Sequence, residues 1–379
     1  MNTFNFEVLQ TTKRGRRGRI YTPHGTIETP AFVPVATKGT LKGITPKQAS
    51  EIPIQISFIN SYHLVLSPGM ETLQKLGGVH NMCGLTYPLM CDSGGFQIFS
   101  LGRADSKKRA SIRGEEEPFI VKKTDEEVVF RSPYNGKTIT FNPKTSIEFQ
   151  HAIGADIIMA FDECIYANAS YTYATEATER THIWLAQCIT EHEKDNKKGQ
   201  ALYGVIQGSM YKDLRIASAK FVADQSVAGV AIGGVSVGET KSEMRKQIGW
   251  IAPYLPKDKP VHLLGVGHID DIVDLVQHGI DTFDCVEPTR LARTGVLYNM
   301  QAVLDHADNY TFDIAKSTYA ANTTKVDENC TCYTCVNFSK AYMHHLFKQR
   351  ELLGYTLATI HNLAVMEALM QKIREELEW

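Results

Sequence analysis

The chain has 379 residues, 43% of them apolar and 22% charged, with a formal net charge of −2. This length exceeds a typical single domain and suggests one barrel-sized domain plus something smaller. The composition excludes a low-complexity chain, and the near-neutral charge excludes a protein coated in basic residues, though not one with a local basic face.

The first residues, "MNTFNFEVLQTTKRGRRGR", lack the apolar core and cleavage site of a signal peptide. No run of 18 or more apolar residues suggests a membrane span, so a cytoplasmic protein that does not enter a membrane is expected. The basic run "KRGRRGR" (13–19) is a nucleic-acid candidate but reads better as a solvated surface loop. Eight short apolar runs follow: "TPAFVPVA" (29–36), "QISFINSYH" (55–63), "YPLMCDSGG" (87–95), "ADIIMAFDE" (155–163), "ALYGVIQG" (201–208), "GVAIGGVSVG" (229–238), "PVHLLGVG" (260–267) and "IDTFDCVEP" (280–288). Segments with helical spacing lie between them. "SPGMETLQKLG" opens with a Ser cap and a Pro in its first turn, and "NPKTSIEFQHAIG" and "HIDDIVDLVQHG" end in Gly. "YATEATERTHIWLAQCITEHEKD" and "ETKSEMRKQIGWIAPYL" have the spacing of core-facing helices.

Eight strand–helix units with nearly continuous apolar strands predict an α/β fold, a (β/α)8 TIM barrel, with a doubly wound open sheet as the rival. An internal echo supports one register used twice: "FQHAIGADIIMAFDE" and "VQHGIDTFDCVE" both run QH, Gly, Asp, strand, Phe-Asp, acid. Residues 100–141 read as an insertion after the third strand, with a hairpin signal at Asn135-Gly136. The barrel is expected to span 1–294, and a mainly helical, Cys-bearing subdomain 295–379.

In such a barrel the chemistry sits at the C-terminal ends of the strands. Asp92 and Ser93, Asp162 and Glu163, Gln207, the pair Gly233-Gly234, and Asp284 all fall there. One such residue alone would read as a cap or turn residue. Several acids at one mouth suit glycosidic-bond chemistry, one attacking the anomeric carbon and another handling protons. The glycines of "DSGGFQ" permit close backbone approach, and Phe96 offers a face on which an aromatic base could stack; Asp162, Gln207 and Gly233-Gly234 could read a heterocycle. In "CTCYTC", Cys330, Cys332 and Cys335 with a histidine would make a closed tetrahedral zinc site, and His361, His344 and His345 are candidates for the fourth ligand.

These residues resemble the tRNA-guanine transglycosylase (queuine tRNA-ribosyltransferase) family, bacterial type, nearly end to end. "GRIYTPHGTIETPAFVPVAT", "MCDSGGFQ", "GADIIMAFDEC", "VIQGS", "AIGGVSVGE", "LLGVG" and "FDCVEPTR" carry the resemblance, together with the Cys cluster and its distant His. The resemblance implies exchange of guanine at the wobble position of tRNAs with a GUN anticodon for a 7-deazaguanine, most simply 7-aminomethyl-7-deazaguanine, in queuosine biosynthesis. By that resemblance Asp284 is the nucleophile and Asp92 the general acid/base. Asp162, Gln207, Gly233 and Gly234 bind the base, Phe96 and Leu264 sandwich it, and Cys164 lines its pocket. Arg290 and Arg293 hold the tRNA, His361 completes a structural zinc site, and the enzyme is a homodimer; surface His and aromatic residues such as Tyr319 and Tyr342 are candidates for its contact, with no role assigned.

The chain departs from the family pattern at Phe96, Val235 and His268, where Tyr, Leu and Lys are common, and in the stretch 165–169. Cys164 and Val237 are bulky, as in members that take the smaller base. The rivals are the same reaction with queuine, a non-catalytic paralogue acting as a tRNA-binding partner subunit, and a small-molecule glycosidase.

Overall fold

The computed structural model describes residues 4–96, 119–132, 135–196 and 199–377. Strands β1 (Asn5–Thr12), β2 (Gly15–Thr22) and β3 (Gly25–Thr29) form an antiparallel sheet. Then come β4 (Ala31–Pro34), β5 (Ser57–Ile59) and β6 (Leu89–Cys91), followed by an antiparallel excursion of β7 (Phe119–Lys123), β8 (Val128–Arg131) and β9 (Thr138–Phe141). The parallel series resumes with β10 (Ile157–Met159), β11 (Ala201–Ile206), β12 (Gly229–Ile232), β13 (Val261–Leu263) and β14 (Thr282–Cys285).

The eight parallel strands run in the order β4-β14-β13-β12-β11-β10-β6-β5, and Val35 pairs with Phe58 to bring the two ends together. Each of the eight apolar runs contributes one strand, so the barrel is as the sequence predicts and the open-sheet rival falls. The runs are continuous because both strand faces are buried. Val33, Phe58, Met159, Val205 and Ala231 fill the interior, while their neighbours Phe32, Ile59, Ile158, Ile206 and Ile232 pack under the helices.

Three local expectations change. The run 13–19 is not a solvated loop: Arg16 lies in β2 and is 6% exposed. Its guanidinium pairs with Asp281, which precedes β14, and donates to the carbonyls of Pro256, Lys257 and Lys259. Arg17 and Arg19 pair with Glu28. The run therefore ties the N-terminal sheet to the end of the barrel opposite the mouth. The helix in "SPGMETLQKLG" runs Met70–Leu76 from Gly69 rather than from a Ser cap, because a backbone at φ 92° suits only Gly there. The region after 294 opens with a two-stranded ribbon, β15 (Val296–Tyr298) and β16 (Thr311–Asp313), before its helices begin.

The Asn135-Gly136 turn joins β8 to β9 as expected, with Gly136 at φ +69°. Residues 97–118, most of the remaining insertion, lie outside the described residues. The inserted sheet is fastened through Asp125, which bonds the Arg180 guanidinium and whose carbonyl accepts from Trp184 Nε1 at 2.8 Å. The helix Leu352–Glu376 is apolar enough to cross a membrane by composition, but it is a core helix that packs on β4, β15 and the helix Glu287–Thr294. Its Asn362 accepts from Tyr298 N and donates to the carbonyls of Pro288 and Val296, binding the C-terminal region to the segment that follows β14.

Candidate active site

Asp284 stands in β14, where strand alternation turns Thr282 and Asp284 toward the barrel interior and Phe283 toward the helices. Its Oδ1 accepts from the Gly265 N–H at 2.7 Å and lies 3.2 Å from His262 Nε2. Among the described residues Oδ2 takes no hydrogen bond. A carboxylate held by one oxygen at a barrel mouth is oriented and still has a lone pair to use. Three strands away, past β4 and β5, Asp92 follows β6. Its Oδ1 accepts from Ser61 N at 2.8 Å and Ser61 Oγ at 3.1 Å, and Asn60 Nδ2 donates to Oδ2. Asn60 also caps the helix Ser61–Leu66, so one short turn fixes both the helix and the acid.

Across the mouth lies a polar pocket. Asp162 accepts from Ser93 Oγ at 3.0 Å on one oxygen and from Gln207 Nε2 at 2.8 Å on the other. Burial pushes its carboxyl up to about 6, against the pull of these two donors. A Cβ at Gly95 would sit 2.4 Å from the Asp162 carbonyl, so that glycine is required for the close approach. Gly234 has φ +61°, and a Cβ there would meet Gln207 Oε1 at 2.3 Å. That Oε1 is buried against Gly234 and takes no hydrogen bond among the described residues. Glu163, expected among the mouth acids, turns away instead: Tyr173 and Arg180 hold its carboxylate.

Arg215 had no signal in the sequence. It is fully buried and donates to the carbonyls of Ser209 (2.8 Å), Gly233 (2.6 Å) and Gly234, and to Gln247 Oε1 (3.1 Å). Burial lowers its guanidinium to about 10, so a charge is spent to hold two glycines. Cys164 is buried beside this group, its thiol pushed up by burial. Val237 donates its N–H to Glu239.

The remaining candidates flank the mouth. Phe96 is 50% exposed, and Leu264 is half-buried against the inner core. Arg290 and Arg293 lie one turn apart on the helix Glu287–Thr294, and both are exposed. Neither makes an ion pair among the described residues. Partial burial and then the charge of Arg290 lower the Arg293 guanidinium, as expected of adjacent cations lacking an anion. His268 pairs with Glu287 at 2.8 Å, and this bond raises its imidazole. A cavity of about 770 Å³ lies apart from this mouth, and its Lys241 and Arg245 are already paired with Asp270 and Asp271.

Cys330, Cys332, Cys335 and His361 place their ligand atoms within 4.8 Å of one another and could hold a metal ion. His361 Nδ1 lies 3.2 Å from Cys335 Sγ and 3.8 Å from Cys332 Sγ. These values bracket the edge of about 3.6 Å between S and N in a tetrahedron with zinc-like bond lengths. His361 Nε2 faces the Tyr298 carbonyl at 2.8 Å, which leaves Nδ1 as the ligand atom. The rival His344 instead bonds the Ile314 carbonyl, and His345 is exposed.

The family model for queuine tRNA-ribosyltransferase matches residues 11–378. The chain is 41% identical over 386 residues to the queuine tRNA-ribosyltransferase of Roseiflexus sp. (strain RS-1), covering 99% of this chain and 95% of that protein. It is also 41% identical to the protein of that name from Idiomarina loihiensis, over 99% and 94% of the two chains. The one from Aquifex aeolicus is 41% identical, over 99% and 95%.

Proposed function

Since the chain belongs to the queuine tRNA-ribosyltransferase family, whose members are tRNA-guanine pentosyltransferases, we propose that its barrel mouth exchanges a tRNA guanine for a 7-deazaguanine through a covalent ribosyl–Asp284 adduct. The observation that carries this reading is the Asp284 carboxylate, anchored through Oδ1 and, among the described residues, with Oδ2 uncommitted at the mouth. Oδ2 attacks C1′ of the target nucleotide as the glycosidic bond breaks, and Asp92 protonates the departing guanine. The incoming base loses a proton to Asp92, attacks C1′, and releases the carboxylate.

Asp162 and Gln207 supply acceptors to the purine edge, and Gly233 and Gly234 the backbone groups held by Arg215. Phe96 and Leu264 provide faces for stacking, and Cys164 bounds the pocket. The target nucleotide must leave its stack to enter a barrel mouth, which favours an anticodon loop over a duplex. Arg290 and Arg293, exposed, without an ion pair among the described residues and one turn beyond β14, suit its phosphates, and the GUN wobble position is the target. The incoming base is 7-aminomethyl-7-deazaguanine, supported by the bulk of Cys164 and Val237; competition with queuine tests that assignment.

Zinc is the ion the three thiolates and one imidazole fit, and with four protein ligands it is structural. It would fix the region 295–379 as a subdomain on a catalytic barrel of 1–294. A homodimer is supported by the exposed Tyr333, Val336 and Tyr342 around Phe338. A tRNA substrate supports a cytoplasmic enzyme. The test is labelled-guanine incorporation into unmodified GUN tRNA; release of base or sugar from free nucleosides without RNA would point to a small-molecule glycosidase instead.

A further inference from the structure

His262 lies in β13 opposite Thr282 of β14, fully buried and facing the barrel interior. Its ring stacks on Phe58 with centroids 5.8 Å apart and planes 17° from parallel. Its Nδ1 lies 2.8 Å from Thr282 Oγ1 and its Nε2 3.2 Å from Asp284 Oδ1. An ionised carboxylate oxygen can only accept, so Nε2 carries the proton and donates to Asp284. With only Nε2 protonated, Nδ1 accepts and the Thr282 hydroxyl is its donor. Thr282 thus sets the tautomer, His262 the carboxylate, and Phe58 the plane of the imidazole.

We propose that His262 is a positioning residue that, with the Gly265 N–H, pins Asp284 by Oδ1 so that Oδ2 alone is presented to the ribose. The proposal rests on Asp284 being the nucleophile. Both donors come from β13 and the residues just after it, so one strand end holds the carboxylate plane. When the Oδ2–C1′ bond forms and the C1′–N bond to guanine breaks, Oδ1 becomes the ester carbonyl and keeps both donors. When the incoming base displaces Oδ2, the electron pair returns to a carboxylate whose Oδ1 is already hydrogen-bonded. Without His262 the carboxylate turns about its Cβ–Cγ bond, and the attack geometry is lost while the tRNA contacts are not. A histidine that merely filled the core would act on stability alone.

The experiment compares His262→Phe, His262→Gln and Asp284→Asn in guanine exchange on GUN tRNA, with melting temperature measured for each. Phe keeps the ring and its contact with Phe58 but has no nitrogen; Gln restores an N–H near the position of Nε2. The expected result is a fall in kcat of about 10²-fold for His262→Phe, with KM for tRNA within about twofold of wild type. His262→Gln should recover most of that loss. If His262→Phe keeps kcat within about twofold while Asp284→Asn is inactive, the positioning role is wrong and the nucleophile stands. If Asp284→Asn is itself active, the underlying reading fails. Should His262→Phe not fold, a folded His262→Gln with kcat as low as Asp284→Asn overturns the proposal.

Discussion

Replacing Arg215 with Met separates the pocket's architecture from its chemistry. The guanidinium donates to four buried acceptors, two of them the carbonyls of Gly233 and Gly234. A buried acceptor that loses its donor costs about 1–3 kcal/mol, so four give at least about 4 kcal/mol. Against this, the variant no longer buries a charge; the drop from 12.5 to about 10 marks that cost as roughly 3 kcal/mol. The two terms leave a net loss of stability of at least about 1 kcal/mol. The effect on the site is larger than this remainder suggests, because Gly233 and Gly234 lose the donor that fixes their peptide planes. One misaligned hydrogen bond to the base is worth about 1.4 kcal/mol, or about tenfold in affinity. Steady-state exchange should therefore show KM for the base raised at least about tenfold, with KM for tRNA within about twofold. Arg215→Lys should resemble Met, since an ammonium cannot span the same acceptors. A folded Arg215→Met with wild-type KM for the base would refute the reasoning.

Gly234→Ala forces a side chain into φ +61° and against Gln207 Oε1; we expect base exchange to fall by more than about 10²-fold, checked by base-binding calorimetry on the folded variant. Asp162 has its carboxyl raised from 3.8 to about 6, so the folded protein binds more protons than the unfolded chain across that window and stability falls as pH rises through it. On the proposed role of Asp162 base binding runs the other way, since only a carboxylate accepts from purine N–H groups; KM for the base should fall as pH rises from 5 to 7 in wild type and stay flat in Asp162→Asn. Cys335→Ala should lose the bound metal, read by elemental analysis, and lower the melting temperature by more than about 10 °C, because metal binding here is folding energy.

The barrel was legible because eight runs buried on both faces leave no alternation to confuse with an amphipathic strand. The placement of Asp92, Asp162, Gln207 and Asp284 at strand ends was legible because each lies at or near the close of such a run. Arg215 was not, because it sits in the helix Lys212–Ala223 at a spacing that reads as ordinary, and only the fold brings it beneath Gly233. His262 was hidden similarly inside "PVHLLGVG", where nothing local distinguishes a core histidine from one facing Asp284. The basic run 13–19 misled because its partners, Glu28 and Asp281, lie elsewhere in the chain. The ribbon β15–β16 was missed because its three-residue strands carry no resolvable period.

The central claim is that Asp284 forms a covalent bond to the tRNA ribose. It is tested most directly by incubating the metal-replete protein with GUN tRNA and guanine-site ligand, denaturing, and looking for a protein–RNA adduct by gel and mass spectrometry. The account predicts an adduct in wild type that maps to Asp284 and is absent from Asp284→Asn. An adduct that persists in Asp284→Asn, or exchange by that variant at the wild-type rate, would contradict it.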